Sequence, residues 1–169
     1  MQTVKFLKSV MDKCLFGINI VILTLLVVDV TWQVLSRYVA QSPSTFTDEA
    51  ARFLMVWMSF LGGAYLFGNN GHLSVTSLRD MMPANAKKTV VAFTYALIVL
   101  FAVFVMIYGS QRLIGRTMGQ PSPSLGIPMG VFYSILPISA VCIIYYMILN
   151  IIELFLGNGS ANEDKKEGA

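Results

Sequence analysis

Charge is what this sequence has least of. Asp, Glu, Lys and Arg together make up 12% of its 169 residues, against 56% hydrophobic, where soluble domains carry about 25% charged and 45–50% apolar residues. So few ionised groups cannot cover a soluble surface of this size, and the mean hydropathy of +0.68 agrees. A membrane class follows. Histidine is nearly missing too: His72 is the only one, and without acidic or Cys neighbours it makes neither a metal site nor a haem ligand pair. The two cysteines, Cys14 and Cys142, lie far apart inside apolar runs, a spacing that predicts buried small hydrophobes rather than a redox or metal centre. No GxxxxGKS/T phosphate loop, HExxH pair or Gly-rich dinucleotide turn occurs. The chain therefore reads as a protein without catalytic apparatus, cofactor or metal. Its net charge of +3 comes from twelve Lys and Arg scattered in ones and twos, with no basic stripe for nucleic acid.

What is present is a series of long apolar runs. A spanning helix needs about 20 mostly apolar residues, and the sequence predicts four, at about 14–38, 46–67, 90–108 and 128–156. The expected fold is an all-α integral membrane protein, with residues 1–156 as one membrane domain and 157–169 as a disordered, polar cytoplasmic tail. Lys5, Lys8 and Lys13 before the first run imitate a secretion signal, but no small-x-small cleavage site ends it, so it is expected to stay as an anchor. Thr45 followed by Asp48 reads as a capping-box-like start of the second helix, and Gly68-Asn69-Asn70-Gly71 as its end. Val75, Leu78 and Met82 then give a possible short interfacial helix before Pro83. A polar stretch from Gln111 to Ser124 separates the third span from the fourth, in which Pro137 predicts a kink.

Basic residues set the expected orientation. Lys5, Lys8, Lys13, Arg79, Lys87, Lys88, Lys165 and Lys166 fall on one side, eight in all, against Arg37, Arg52, Arg112 and Arg116 on the other. Cytoplasmic connections carry the excess, which predicts both ends inside the cell.

Polar groups within spans are costly and usually face protein or water. At 100° per residue Asn19, Asp29, Gln33, Ser36 and Arg37 share one face of the first helix. One reading is a helix-packing or subunit interface through Asp29, Gln33, Ser36 and Arg37; the other is an ion path, which wants more ionisable groups at depth than Asp29 supplies. Asp48, Glu49 and Arg52 open the second helix at spacings that permit intrahelical pairing, with an outward docking role as the alternative. Ser59 and Gly63, beside Gly62, form a small-xxx-small pair that admits another helix closely. Neither paired broken helices nor an inverted repeat builds a midplane transport site.

Taken together, Phe46-Thr47-Asp48-Glu49-Ala50-Ala51-Arg52-Phe53-Leu54-Met55-Val56-Trp57, Phe60-Leu61-Gly62-Gly63-Ala64, Gly71-His72-Leu73-Ser74-Val75 and Ser124-Leu125-Gly126-Ile127-Pro128 ahead of Pro137 resemble the DctQ-type small membrane subunit (Q subunit) of tripartite ATP-independent periplasmic (TRAP) transporters. Order and spacing agree from about residue 10 to residue 155. The resemblance implies a bacterial inner-membrane heterodimer with a large many-span subunit that holds the substrate and sodium sites and moves like an elevator. A periplasmic substrate-binding protein would deliver an organic acid of the sialic acid or C4-dicarboxylate class. The small subunit would scaffold the large one, surrounded by membrane lipids, with Asp48, Glu49 and Arg52 candidates for docking or subunit contact. A rival reading is a self-sufficient homo-oligomeric transporter or channel lined by the Asp29 stripe.

Overall fold

The computed structural model describes residues 2–39, 41, 44–68 and 84–155. Its helices are α1 (Gln2–Tyr38), α2 (Thr45–Gly68), α3 (Ala84–Phe101), a π-helical segment (Ala102–Gly109), α4 (Ser110–Thr117), α5 (Met129–Tyr133) and α6 (Ile135–Phe155). No strand occurs among the described residues. Four stretches are long and apolar enough to cross a membrane, at Phe6–Tyr38, Thr45–Gly68, Val90–Thr117 and Met129–Ile152, so the four-span all-α architecture is present. The interfacial helix, His72 and the tail lie outside the described residues.

Three boundaries depart from the sequence reading. Ser44, not Thr45, caps α2: the Thr47 amide reaches its Oγ at 3.4 Å, and the Asp48 amide and Thr47 hydroxyl donate to its carbonyl. That leaves the Asp48 carboxylate free for other work. The third rod does not end at Tyr108 but continues as α3, the π segment and α4 to Thr117, because backbone groups emerging from a membrane are best satisfied by further helix. The wide turn of a π-helix aligns residues four to five apart, and Ala102 and Met106 within it and Ser110 at the start of α4 are all buried. Finally, the last span is interrupted at Ser134, three residues before Pro137. Pro137 sits in the first turn of α6, where its missing N–H is tolerated, and α5 stops one residue before Ser134. Beside the interruption the Phe132 carbonyl accepts the Trp57 indole N–H at 3.2 Å. Phe53 stacks on the Phe132 ring with centroids 4.3 Å apart.

The core is organised by α6. Ser139, Ala140, Ile143, Tyr146, Met147 and Asn150 recur at helical spacing and are all buried, and α6 touches α1, α2, α3, the π segment, α4 and α5. Gly68, at the end of α2, lies so close to Tyr146 that a Cβ there would enter the ring. By contrast α1 packs chiefly along α2. Its outward side explains a further correction: Cys14 is exposed rather than buried, while Cys142 is half-buried, and both are free thiols.

Candidate functional site

At one end of the bundle the last turns of α1, the first turns of α2 and the loop 118–128 converge. Asp48 lies in the first turn of α2, a position the helix dipole favours. Its Oδ1 accepts the Gln33 side-chain amide from α1 at 2.9 Å, and its Oδ2 accepts Arg52 Nη2 at 2.8 Å. The i,i+4 pairing read from sequence is therefore formed by Asp48 and Arg52. It sits half in water, with side chains 46% and 71% exposed, where such a pair adds little stability.

Glu49, one residue on, points elsewhere. Its Oε2 accepts the backbone N–H groups of Ser124 at 2.8 Å and Leu125 at 3.2 Å, two consecutive donors converging on one carboxylate oxygen. The loop it grips is itself closed: the Ser122 amide donates to Ile127, Met129 donates to Gln120, and Pro121 bridges to Pro128. Gly126 turns it with φ of +69°, a left-handed conformation that glycine adopts without strain. Glu49 thus fixes a connection 75 residues away in sequence, which residue spacing alone could not reveal.

The predicted stripe on α1 divides. Gln33 binds Asp48, Ser36 is buried and its hydroxyl donates to the Gln33 carbonyl at 3.0 Å, and Asn19 faces α2 at Gly62, whose Cβ position lies 3.6 Å from Asn19 Oδ1. Gln33 thus ties α1 to α2 and Asn19 packs against it, while the Ser36 bond stays within α1. Asp29 Oδ2 is a buried oxygen with no hydrogen-bond partner among the described residues. Arg37 is exposed and lines an open polar groove of about 340 Å³ together with Gln33, Ser44, Thr45, Asp48 and Arg52.

No helix among the described residues fills the space at Ser59 and Gly63. They border a second groove of about 180 Å³, almost wholly apolar, walled by Phe60, Phe67, Ile98, Phe101 and Ile143. The Ser59 hydroxyl is turned back onto the Met55 carbonyl at 2.8 Å, so the groove offers methylenes and rings but little polarity.

The opposite end of the bundle holds contacts the sequence reading missed. Tyr146 donates its hydroxyl to Asp12 Oδ1 at 2.6 Å, and Lys8 donates to Asn150 Oδ1 at 2.9 Å. The signal was there: Tyr146 and Asn150 are one turn apart in an otherwise apolar helix, as are Lys8 and Asp12 in α1. No group of three or more His, Cys, Asp or Glu residues placed to hold a metal occurs among the described residues.

The class that these observations define is a four-span helical membrane protein with two open grooves. Residues 26–157 match the profile of the DctQ component of tripartite ATP-independent periplasmic transporters, and the chain belongs to that family of small permease subunits, which are transporter components rather than enzymes. It is similar to the sialic acid TRAP transporter small permease protein SiaQ of Vibrio cholerae, with 24% identity over 93% of this chain and 92% of SiaQ. It also resembles part of the isethionate TRAP transporter permease protein DctMQ of Oleidesulfovibrio alaskensis, at 27% identity over 65% of this chain and 18% of that protein. A third relative is the sialic acid TRAP transporter permease protein SiaT of Haemophilus influenzae, at 26% identity over 69% of this chain and 19% of SiaT.

Proposed function

We propose that this chain is the static scaffold of a TRAP transporter in the bacterial inner membrane, with both ends in the cytoplasm. It holds a large many-span subunit and helps a periplasmic substrate-binding protein to dock during sodium-driven uptake of an organic acid. The observation that carries this reading is the unequal burial of the spans. Only 11% of the apolar window of α1 is buried within the chain, against 44% for the span containing α5 and α6. Helices in a membrane associate through close packing rather than hydrophobic expulsion, so an outer face of α1 and a small-residue groove at Ser59 and Gly63 suit a companion helix. In DctMQ and SiaT the stretch similar to this chain makes up less than a fifth of the whole, which supports a large partner for the separate chain. The basic residues favour the orientation, and it puts the loop 118–128 on the periplasmic side. There Glu49 contributes to docking by holding the loop in shape, while Asp48, paired with Arg52 on its own helix, braces α2 against Gln33 of α1 beside it.

Reconstitution tests the assignment. Liposomes carrying this chain with its large partner, a sodium gradient and the binding protein should accumulate the acid, and each omission should abolish uptake. Flux through the purified chain alone would overturn the scaffold and favour a self-sufficient channel.

A further inference from the structure

We propose that the groove between the last turn of α1 and the first two turns of α2 seats the headgroup of an anionic phospholipid, clasped by Arg37 and Arg52. This stands apart from the transporter reading and rests on four observations. The first is depth. The 24 residues of α2 extend about 36 Å, little more than a hydrocarbon core of about 30 Å. Arg52, two turns from its start, lies roughly 10 Å along the helix; with the excess length shared between the two ends its Cα is about 7 Å below the core boundary, a depth from which the long arginine side chain snorkels up to the headgroups. Trp32, Tyr38 and Phe46 are exposed around the same end, as aromatic belts are at that boundary.

The second is free donor capacity. Arg37 makes no hydrogen bond or ion pair among the described residues, and Arg52 gives Nη2 to Asp48 while a guanidinium carries five N–H groups. Among the charged groups that line the groove, two guanidiniums face one carboxylate, leaving one positive charge for an anion. The third is residue choice. Arg37, Arg52, Arg112 and Arg116 are the basic residues of this end, and none is lysine, whereas the opposite set holds seven lysines and Arg79. The planar guanidinium fork matches phosphate where an ammonium does not.

The fourth favours lipid over an acidic side chain of a protein. Directly below the arginines, Met55 is 51% exposed and Val34 and Val30 are also exposed, giving acyl chains an apolar track continuous with a polar seat. A protein acid would need only the seat.

Native mass spectrometry of the full-length chain in mild detergent, titrated with dioleoylphosphatidylglycerol or dioleoylphosphatidylcholine, reads the site directly. Wild type should hold phosphatidylglycerol more tightly, and R37Q should lose about fivefold of that preference, the scale of one basic residue at a lipid surface. D48N, which removes the acid competing for Arg52, should strengthen it. R112Q/R116Q should leave the preference as it is. Millimolar glycerol phosphate should not displace the lipid; displacement would mark a free-phosphate site and overturn the proposal. Equal selectivity in wild type and R37Q would overturn it as well, as would an R37Q defect confined to loss of a co-purifying protein. Unchanged melting of R37Q in phosphatidylcholine verifies its fold.

Discussion

The first and last spans share composition but not employment. Both are apolar, yet α6 buries small residues, a tyrosine and an asparagine on one face, while α1 turns exposed Val21, Leu25 and Val28 outward. In water such a difference would be read as an inside and an outside. In lipid both faces are comfortable, because the bilayer is as apolar as leucine. What distinguishes them is whether protein fits against them, and α6 is the span around which this chain assembles itself. The span α1 packs along α2, gives Leu15 and Ile22 to the core, and adds a few specific polar ties: Lys8 to Asn150, Asp12 to Tyr146, and Gln33 to Asp48.

Breaking the core should therefore cost most. Tyr146→Ala removes a fully buried ring and strands Asp12, and the chain is expected to lose about 2–4 kcal/mol of stability, read from reversible unfolding in mixed micelles. A cost below about 0.5 kcal/mol would show that α6 is not the organising span. Intermediate and local is Glu49→Gln. Without the carboxylate the Ser124 and Leu125 amides lose a charged acceptor, so hydrogen exchange across 120–128 should accelerate while global melting stays in place. Unchanged protection there would mean that the loop keeps its shape unaided. Smallest within the isolated chain is Val28→Ala on the outer face of α1, where valine is 63% exposed. Its stability should shift by less than about 0.5 kcal/mol, yet co-purification of the large subunit should fall if that face is covered in the complex. Full retention of the partner would place the contact on another side.

Much of the architecture was open to reading before any coordinates. Asp48 with Arg52 at i,i+4 announced a pair that forms, while Ser59 with Gly63, read as a place for another helix to approach, borders an apolar groove. Helix ends were read less well, since Ser44 and Thr45 are both competent caps, and Gln111 to Thr117 is polar yet helical. The α1 stripe was legible as a face but not by what it meets. Gln33 and Asn19 meet the chain's own second helix, Ser36 bonds within α1, and Arg37 lines the groove beside Gln33.

Residue order alone determined that four apolar rods lie across a bilayer, because the desolvation of backbone amides and the scarcity of charge leave no other solution. Tertiary structure alone decided which carboxylate does what. Asp48 and Glu49 are adjacent and chemically alike, but a 100° step around the helix sends one to α1 and Arg52 and the other to a loop 75 residues downstream.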